Sequence, residues 1–462
     1  MTAAEVVADG LRRAGVARVF VSDGADPTLL DAMRAARVPM VSVTSAASAV
    51  TMAAITGQLD EAPGVALIAA DAPTVSVGLA EGTRACAPMI VLASREPSAS
   101  APVIKTTVAA GADSAAHWAA HAAQAAMNEP PGPVWLVLAP DVAPRPALPL
   151  ATVARAPVVP LDAQKIDAVA RHLVGAARPL IVAGRECRAP ATAGWIRALA
   201  ETLPAPVLLT PAARGALPDP HPLCFGLLAA DAAILHRADL VLALGVDAAE
   251  LARAHVTLAA PVVRLGRTET WGAPVADAEG DVAMLLEELA SRLRDRARAD
   301  WDVAELDRVR RARASPAVSA PHAAMIAQLR ESTPAGAVAV FAPALERGSA
   351  LWLTVNPGEV FVADAVVAAA IAAALQRPDA AVLAFAHAAP AAMLADLPVA
   401  VEAGARVIVI TLGVPDRDVA RTAGVRTTVA ASPPALTLAI GTALEAVGPT
   451  VISIPPPRSV SA

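Results

Sequence analysis

Few side chains in this 462-residue chain stand at spacings that could do chemistry. His117-Trp-Ala-Ala-His121 sets two imidazoles four residues apart, which on a helix puts both on one face, the spacing used by zinc sites. The stretch lacks the glutamate of an HExxH pattern and a clear third ligand, so no metal site is assigned and a surface or interface helix is the alternative. His387 follows the buried-strand pattern Ala381-Val-Leu-Ala-Phe385. That is where an open α/β sheet exposes ligands, which makes His387 a candidate for catalysis, against a histidine satisfied by local backbone. Asp71, at another strand end, reads as a functional acid or as a turn or helix cap. Asp364 and Arg84 each lie beside an apolar helical run and could reach a crevice, with a salt-bridged structural role as the alternative. There is no Walker motif, no GxSxG elbow and no GxGxxG fingerprint, so FAD or another dinucleotide is not expected. Cys86, Cys187 and Cys224 are too widely spaced for a CxxC site or a disulfide framework, and they read as buried thiols in a reducing compartment.

The elements that must position these residues repeat one grammar of apolar strand, turn, amphipathic helix and next strand. The first segment has Val19–Val21, Met40–Val43, Val65–Ile68, Met89–Leu92 and Val134–Leu138. The second has Leu180–Ala183, Val207–Leu209, Leu240–Leu244 and Val262–Leu265, and the third Val338–Phe341, Val382–Phe385, Val407–Ile410 and Val451–Ile454. Runs apolar at consecutive positions suit parallel strands covered on both faces. The expected class is therefore α/β, with three doubly wound parallel-sheet domains at 1–146, 163–313 and 323–462. Proline-rich linkers at 147–162 and 314–322 separate them.

Composition excludes several functions. A hydrophobic fraction of 56% raises the question of a membrane, but much of it is alanine and no run of about 18 strongly apolar residues occurs. No signal peptide precedes the amphipathic helix carrying Glu5, Asp9, Arg12 and Arg13, so a cytoplasmic location is expected. A net charge of −6, with lysine only at Lys105 and Lys165, argues against a general nucleic-acid binder.

Laid side by side, the segments resemble the thiamine diphosphate-dependent enzymes of the acetolactate synthase and 2-oxoacid decarboxylase type along nearly the full length. The opening Ala4-Glu5-x4-Gly10-Leu-x2-Ala-Gly15-Val-x2-Val-Phe20 is similar to that family's first helix and strand, and Glu129-Pro-Pro-Gly-Pro-Val134 to the end of its pyrimidine-binding domain. Arg178-Pro-Leu-Ile-Val-Ala-Gly184, Gly215-Ala-Leu-Pro-Asp-Pro-His-Pro222 and Ala238-Asp-Leu-Val-Leu-Ala-Leu-Gly245 follow the order of its central domain. Ala370-Ile-Ala-Ala-Ala-Leu375 and Arg377-Pro-Asp379 resemble the approach to its diphosphate-binding motif.

The resemblance implies thiamine diphosphate and Mg²⁺ as cofactors, and it also shows what this chain lacks. The family holds Mg²⁺ through an Asp, an Asn and a main-chain carbonyl, and a glutamate from a neighbouring chain activates the aminopyrimidine. The glutamate column is Ala46 here. The acidic triplet becomes Ala386-His387-Ala388, or His387-Ala388-Ala389 counted from Pro378, and the asparagine column is Gly413. The active-site loop that follows in the family is shortened, Gly413 running almost directly into Ala423-Gly-Val-Arg-Thr-Thr428, which resembles the next helix-to-strand passage. Burying an uncompensated diphosphate costs several kcal/mol per charge, so conventional cofactor binding is expected to be lost.

Three functions follow from the resemblance. The first is a degenerate paralogue acting as a structural or regulatory partner, as a homo-oligomer (dimer or tetramer) or as a hetero-oligomer with an active homologue. The second is an active carboligase or decarboxylase of 2-oxoacids with non-standard cofactor contacts. The third is a small-molecule sensor.

Overall fold

The computed structural model describes residues 1–69, 74–97, 103–149, 160–229, 232–267, 272–293, 299–313, 322–387, 394–413, 420 and 423–455. It contains three six-stranded sheets whose paired strands all run parallel. The first holds β1 (Val19–Ser22), β2 (Met40–Val43), β3 (Gly64–Leu67), β4 (Met89–Ala93), β5 (Thr106–Ala109) and β6 (Pro133–Val137) in the order β2-β1-β3-β4-β6-β5. The second holds β7 (Pro179–Ala183), β8 (Val207–Leu209), β9 (Cys224–Leu227), β10 (Leu240–Leu244), β11 (Val262–Gly266) and β12 (Ala276–Glu279), ordered β12-β11-β10-β7-β8-β9. The third holds β13 (Val338–Phe341), β14 (Val360–Val362), β15 (Val382–His387), β16 (Val407–Leu412), β17 (Arg426–Val429) and β18 (Thr450–Ile454), ordered β14-β13-β15-β16-β18-β17. The first and third sheets thus share one strand order, and the second has another.

Every apolar run named from the sequence forms a strand. Their fully buried residues explain why: β4, β6, β7 and β10 have no exposed position, so nothing along them alternates. The pattern did not give β5, β9, β12, β14 and β17, and each of these lies at a sheet edge. An edge strand has neighbours on one side only, and β17 reads Arg-Thr-Thr-Val with its positions largely exposed.

Contacts divide the chain into two units. One comprises Met1–Ala156, Glu331–Ser349 and Phe361–Ala462, and the other Pro157–Arg330 and Ala350–Val360. In the first unit one of the hydrophobic cores runs from Phe20 and Val91 of the first sheet to Val340, Val409 and Val451 of the third. Two helices carry it across, Ala46–Leu59 and Val366–Gln376, both buried nearly all round. Alanine makes this possible. It adds no side-chain entropy cost and lets helix backbones approach closely, and a helix apolar on every side belongs inside a protein. Gly57 extends the same logic, since a Cβ there would lie 1.9 Å from the carbonyl oxygen of Pro88.

In the second unit the segment Ala350–Val360 is tied down by buried and half-buried polar groups. Asp219 Oδ2 accepts from Thr354 N (2.6 Å) and Thr354 Oγ1 (2.8 Å), and Arg214 donates to the Trp352 carbonyl at 2.6 Å. No helix among the described residues is long and apolar enough to cross a membrane.

Candidate functional site

The strand ends of the third sheet are where the sequence placed its candidates. β13 and β15 are adjacent, with Phe341 opposite Phe385 and their rings stacked 4.5 Å apart. Beyond Phe385, Ala386 is fully buried and His387 is exposed as the last residue of β15. Leu412 ends β16 opposite His387. Gly413 is already committed: its N–H donates to the Ile454 carbonyl (2.9 Å), and its own carbonyl accepts from Ser453 Oγ (2.7 Å). Two residues earlier, the Thr411 hydroxyl is buried with no hydrogen-bond partner. It is a lone neutral oxygen and cannot replace a carboxylate and an amide. Ala388 and Ala389, with residues 414–419 of the shortened loop, lie outside the described residues, as does Asp71. Among the described residues no group of three His, Cys, Asp or Glu could hold a metal.

Ala46 begins the Ala46–Leu59 helix, with Ser45 as its N-cap. The nearby carboxylate comes from elsewhere in the chain. Asp396 accepts from Thr44 Oγ1 (2.5 Å) and from Ser48 Oγ (2.8 Å), and Ser48 Oγ also lies 2.9 Å from Ser45 Oγ. Asp396 is only 4% exposed. Burial pushes its carboxyl above the usual aspartate range, and the Thr44 and Ser48 hydroxyls pull it part of the way back. Asp-Leu-Pro before a helix reads locally as a capping signal, yet Asp396 makes no side-chain cap to its own helix. It turns instead to the turn that precedes Ala46.

A second carboxyl contact lies three residues further along the same helix, at Thr51. Glu81, 8% exposed on the Val75–Arg84 helix, accepts the backbone N–H of Asp364 and, at 3.4 Å, the Thr51 hydroxyl. Burial, then the Asp364 carboxyl beside it, raise Glu81 to about 7, while the Asp364 N–H and Arg84 act in the opposite sense. Asp364 and Arg84, singled out from the sequence, therefore meet around a residue that the sequence did not single out. The only local sign of Glu81 is its place between Gly78-Leu79 and Gly82 on the buried face of its helix.

The remaining candidates stand apart. His117 and His121 are exposed on the Ala115–Met127 helix with rings 6.1 Å apart, and Trp118 packs edge-on against both. Cys187 and Cys224 are buried free thiols, and Cys86 is half-buried. Burial holds the Cys187 thiol well above its ordinary pKa.

Two parallel sheets of one topology sharing a core, with a third sheet of another topology, define a three-domain α/β architecture. Sequence-family models agree: residues 1–128 match the thiamine pyrophosphate enzyme N-terminal TPP-binding domain, and residues 166–264 match the thiamine pyrophosphate enzyme central domain. The chain belongs to the thiamine diphosphate-dependent enzyme family. Similar solved structures include a protein from Mycobacterium smegmatis assigned to the thiamin diphosphate-dependent enzymes (22% identity, TM-score 0.79, covering 98% of this chain and 99% of that one). Others are a 4-hydroxybenzoylformate decarboxylase from Rhodococcus jostii RHA1 (21%, 0.81, 98% and 99%) and a benzoylformate decarboxylase from Polynucleobacter necessarius (19%, 0.77, 98% and 98%). No curated protein sequence matches the chain.

Proposed function

We propose that this chain is a catalytically degenerate member of its family that serves as a structural or regulatory partner. The observation that carries the reading is the chemistry of the third sheet's strand ends. The described positions where a magnesium-bound diphosphate needs oxygen ligands are Ala386, His387 and Gly413, and the Gly413 carbonyl is spent on Ser453. These residues do not fit the ion. Mg²⁺ demands near-octahedral oxygen ligation, and a diphosphate buried without it carries charge that nothing described there neutralises. Ala46 adds a second loss, since alanine neither accepts nor relays a proton. The fold outlives these losses because its core is made of helices and strands and not of ligands.

In this reading the chain assembles as a dimer or tetramer with itself, or with an active homologue that supplies the chemistry. Isothermal titration of the purified chain with thiamine diphosphate and Mg²⁺ tests it. No saturable heat is expected, and micromolar, metal-dependent binding overturns it. Light scattering on the eluting protein checks the assembly, and a monomer at all concentrations counts against a self-partner.

A second reading is an active decarboxylase with non-standard cofactor contacts, favoured by end-to-end similarity to two decarboxylases named for benzoylformate and its 4-hydroxy derivative. Release of carbon dioxide from benzoylformate or pyruvate, in the presence of thiamine diphosphate and Mg²⁺, separates the two readings.

A further inference from the structure

The second sheet reverses its build direction at β7. From β7 the chain adds β8 and β9 on one side, then β10, β11 and β12 on the other. In open parallel sheets the crevice outside the carboxyl ends at such a switch point is where ligands lie, usually with backbone N–H groups turned towards an anion. Here that crevice falls between the ends of β7 and β10, at Gly184 and Gly245. The backbones close on each other there, since a Cβ on Gly184 would lie 2.4 Å from the Gly245 carbonyl oxygen and 2.5 Å from Val246 Cα.

One carboxylate gathers the polar groups at these ends. Glu250, 2% exposed, accepts the Arg185 N–H on both oxygens (3.1 Å each), the Asp247 N–H (3.2 Å) and the Thr210 hydroxyl. Those donors come from the ends of β7, β10 and β8. Neighbouring Glu186 accepts the Arg267 N–H past the end of β11 at 2.8 Å. Arg185, itself buried, lies 3.5 Å from Asp247 and supplies positive charge inside the cluster. A phosphate oxygen would need the same donors, and it would meet two carboxylates already seated among them.

We propose that Glu250 is a built-in stand-in for the anion that a sheet of this topology otherwise holds at its switch point, and that the central crevice is thereby closed to nucleotide phosphates. The inference concerns residues 184–267 alone and is independent of the fate of thiamine diphosphate. Because the donors are satisfied internally, the crevice needs no cofactor to be stable. It also gives no purchase to FAD or ADP, whose diphosphates would have to expel a hydrogen-bonded carboxylate.

Titration of the full chain with ADP and with FAD is the first test. No saturable binding is expected, and saturable binding of either overturns the proposal. Removing the carboxylate is the second. Glu250→Ala is expected to lower the Tm, and sodium acetate is expected to recover it saturably, beyond the effect of sodium chloride at equal ionic strength and beyond its effect on the unsubstituted chain. If Glu250→Ala does not fold, Thr210→Val removes one donor and the ADP and FAD titrations remain decisive. Acetate that acts equally on the variant and the parent contradicts the role of a surrogate anion.

Discussion

The carboxyl ends of the second and third sheets answer the same physical problem in opposite ways. At the second, strand-end N–H groups point into a crevice and the chain fills it with Glu250 and Glu186. At the third, Gly413 is bonded within its own sheet, Ala386 is buried, and no carboxylate stands at either described strand end. A buried polar group must find a partner, because leaving it unpaired costs about 1–3 kcal/mol. One crevice kept its donors and acquired internal acceptors. The described ends of the other offer a cation no carboxylate.

Substitution at equivalent places should therefore have unequal consequences. Gly184→Ala forces a Cβ against backbone of the neighbouring strand end, where neither side can rotate away. A loss of about 3 kcal/mol or more is expected by denaturant unfolding, whereas His387→Ala at the exposed end of β15 should change stability by less than about 1 kcal/mol. A cost at His387 as large as that at Gly184 would break the comparison.

The seam between the first and third sheets should respond to pH. Burial raises the folded-state pKa of Glu81 to about 7 from an ordinary 4.5, so the folded protein holds a proton that the unfolded chain gives up. The stabilisation is fully present below pH 4.5 and is lost as pH rises through 7. Its size by linkage is on the order of 3 kcal/mol, reduced to the extent that solvent reaches the neighbouring Asp364. Urea unfolding as a function of pH measures it, and Glu81→Gln should flatten the curve over that window. A wild-type curve that rises between pH 5 and 7.5, or a glutamine variant that falls as steeply as wild type, contradicts the raised Glu81 carboxyl.

A smaller effect is expected at the other seam contact. Asp396→Ala leaves the Thr44 and Ser48 hydroxyls without their acceptor, at a cost of about 1–3 kcal/mol. Part of this is offset by removing a carboxyl that burial already disfavours, so Asp396→Asn should cost less than alanine. Thermal unfolding of the two variants orders them.

Much of the fold could be read from residue order alone. Interior strands announce themselves because both faces are covered, as in Met89-Ile-Val-Leu-Ala93. Edge strands other than β2 do not: Thr106-Thr-Val-Ala109 and Ala276-Asp-Ala-Glu279 carry mixed faces that resemble loops, and Arg426-Thr-Thr-Val429 was reached only through the family resemblance. The columns that the resemblance assigns to Ala46, Ala386 and Gly413 need only the sequence to be read, because an absent side chain is visible without a partner. The carboxylates were not. Glu81 meets Asp364, Asp396 meets Thr44 and Ser48, and Glu250 meets Arg185 and Thr210, all pairs brought together by crossover connections and not by local spacing.

The account turns on whether the third sheet can seat a metal-bound diphosphate. Crystals grown or soaked with thiamine diphosphate and magnesium chloride give the most direct answer. The expected map shows the ends of β15 and β16 with protein and water alone. Density for an intact coenzyme with Mg²⁺ coordinated at those ends would contradict it.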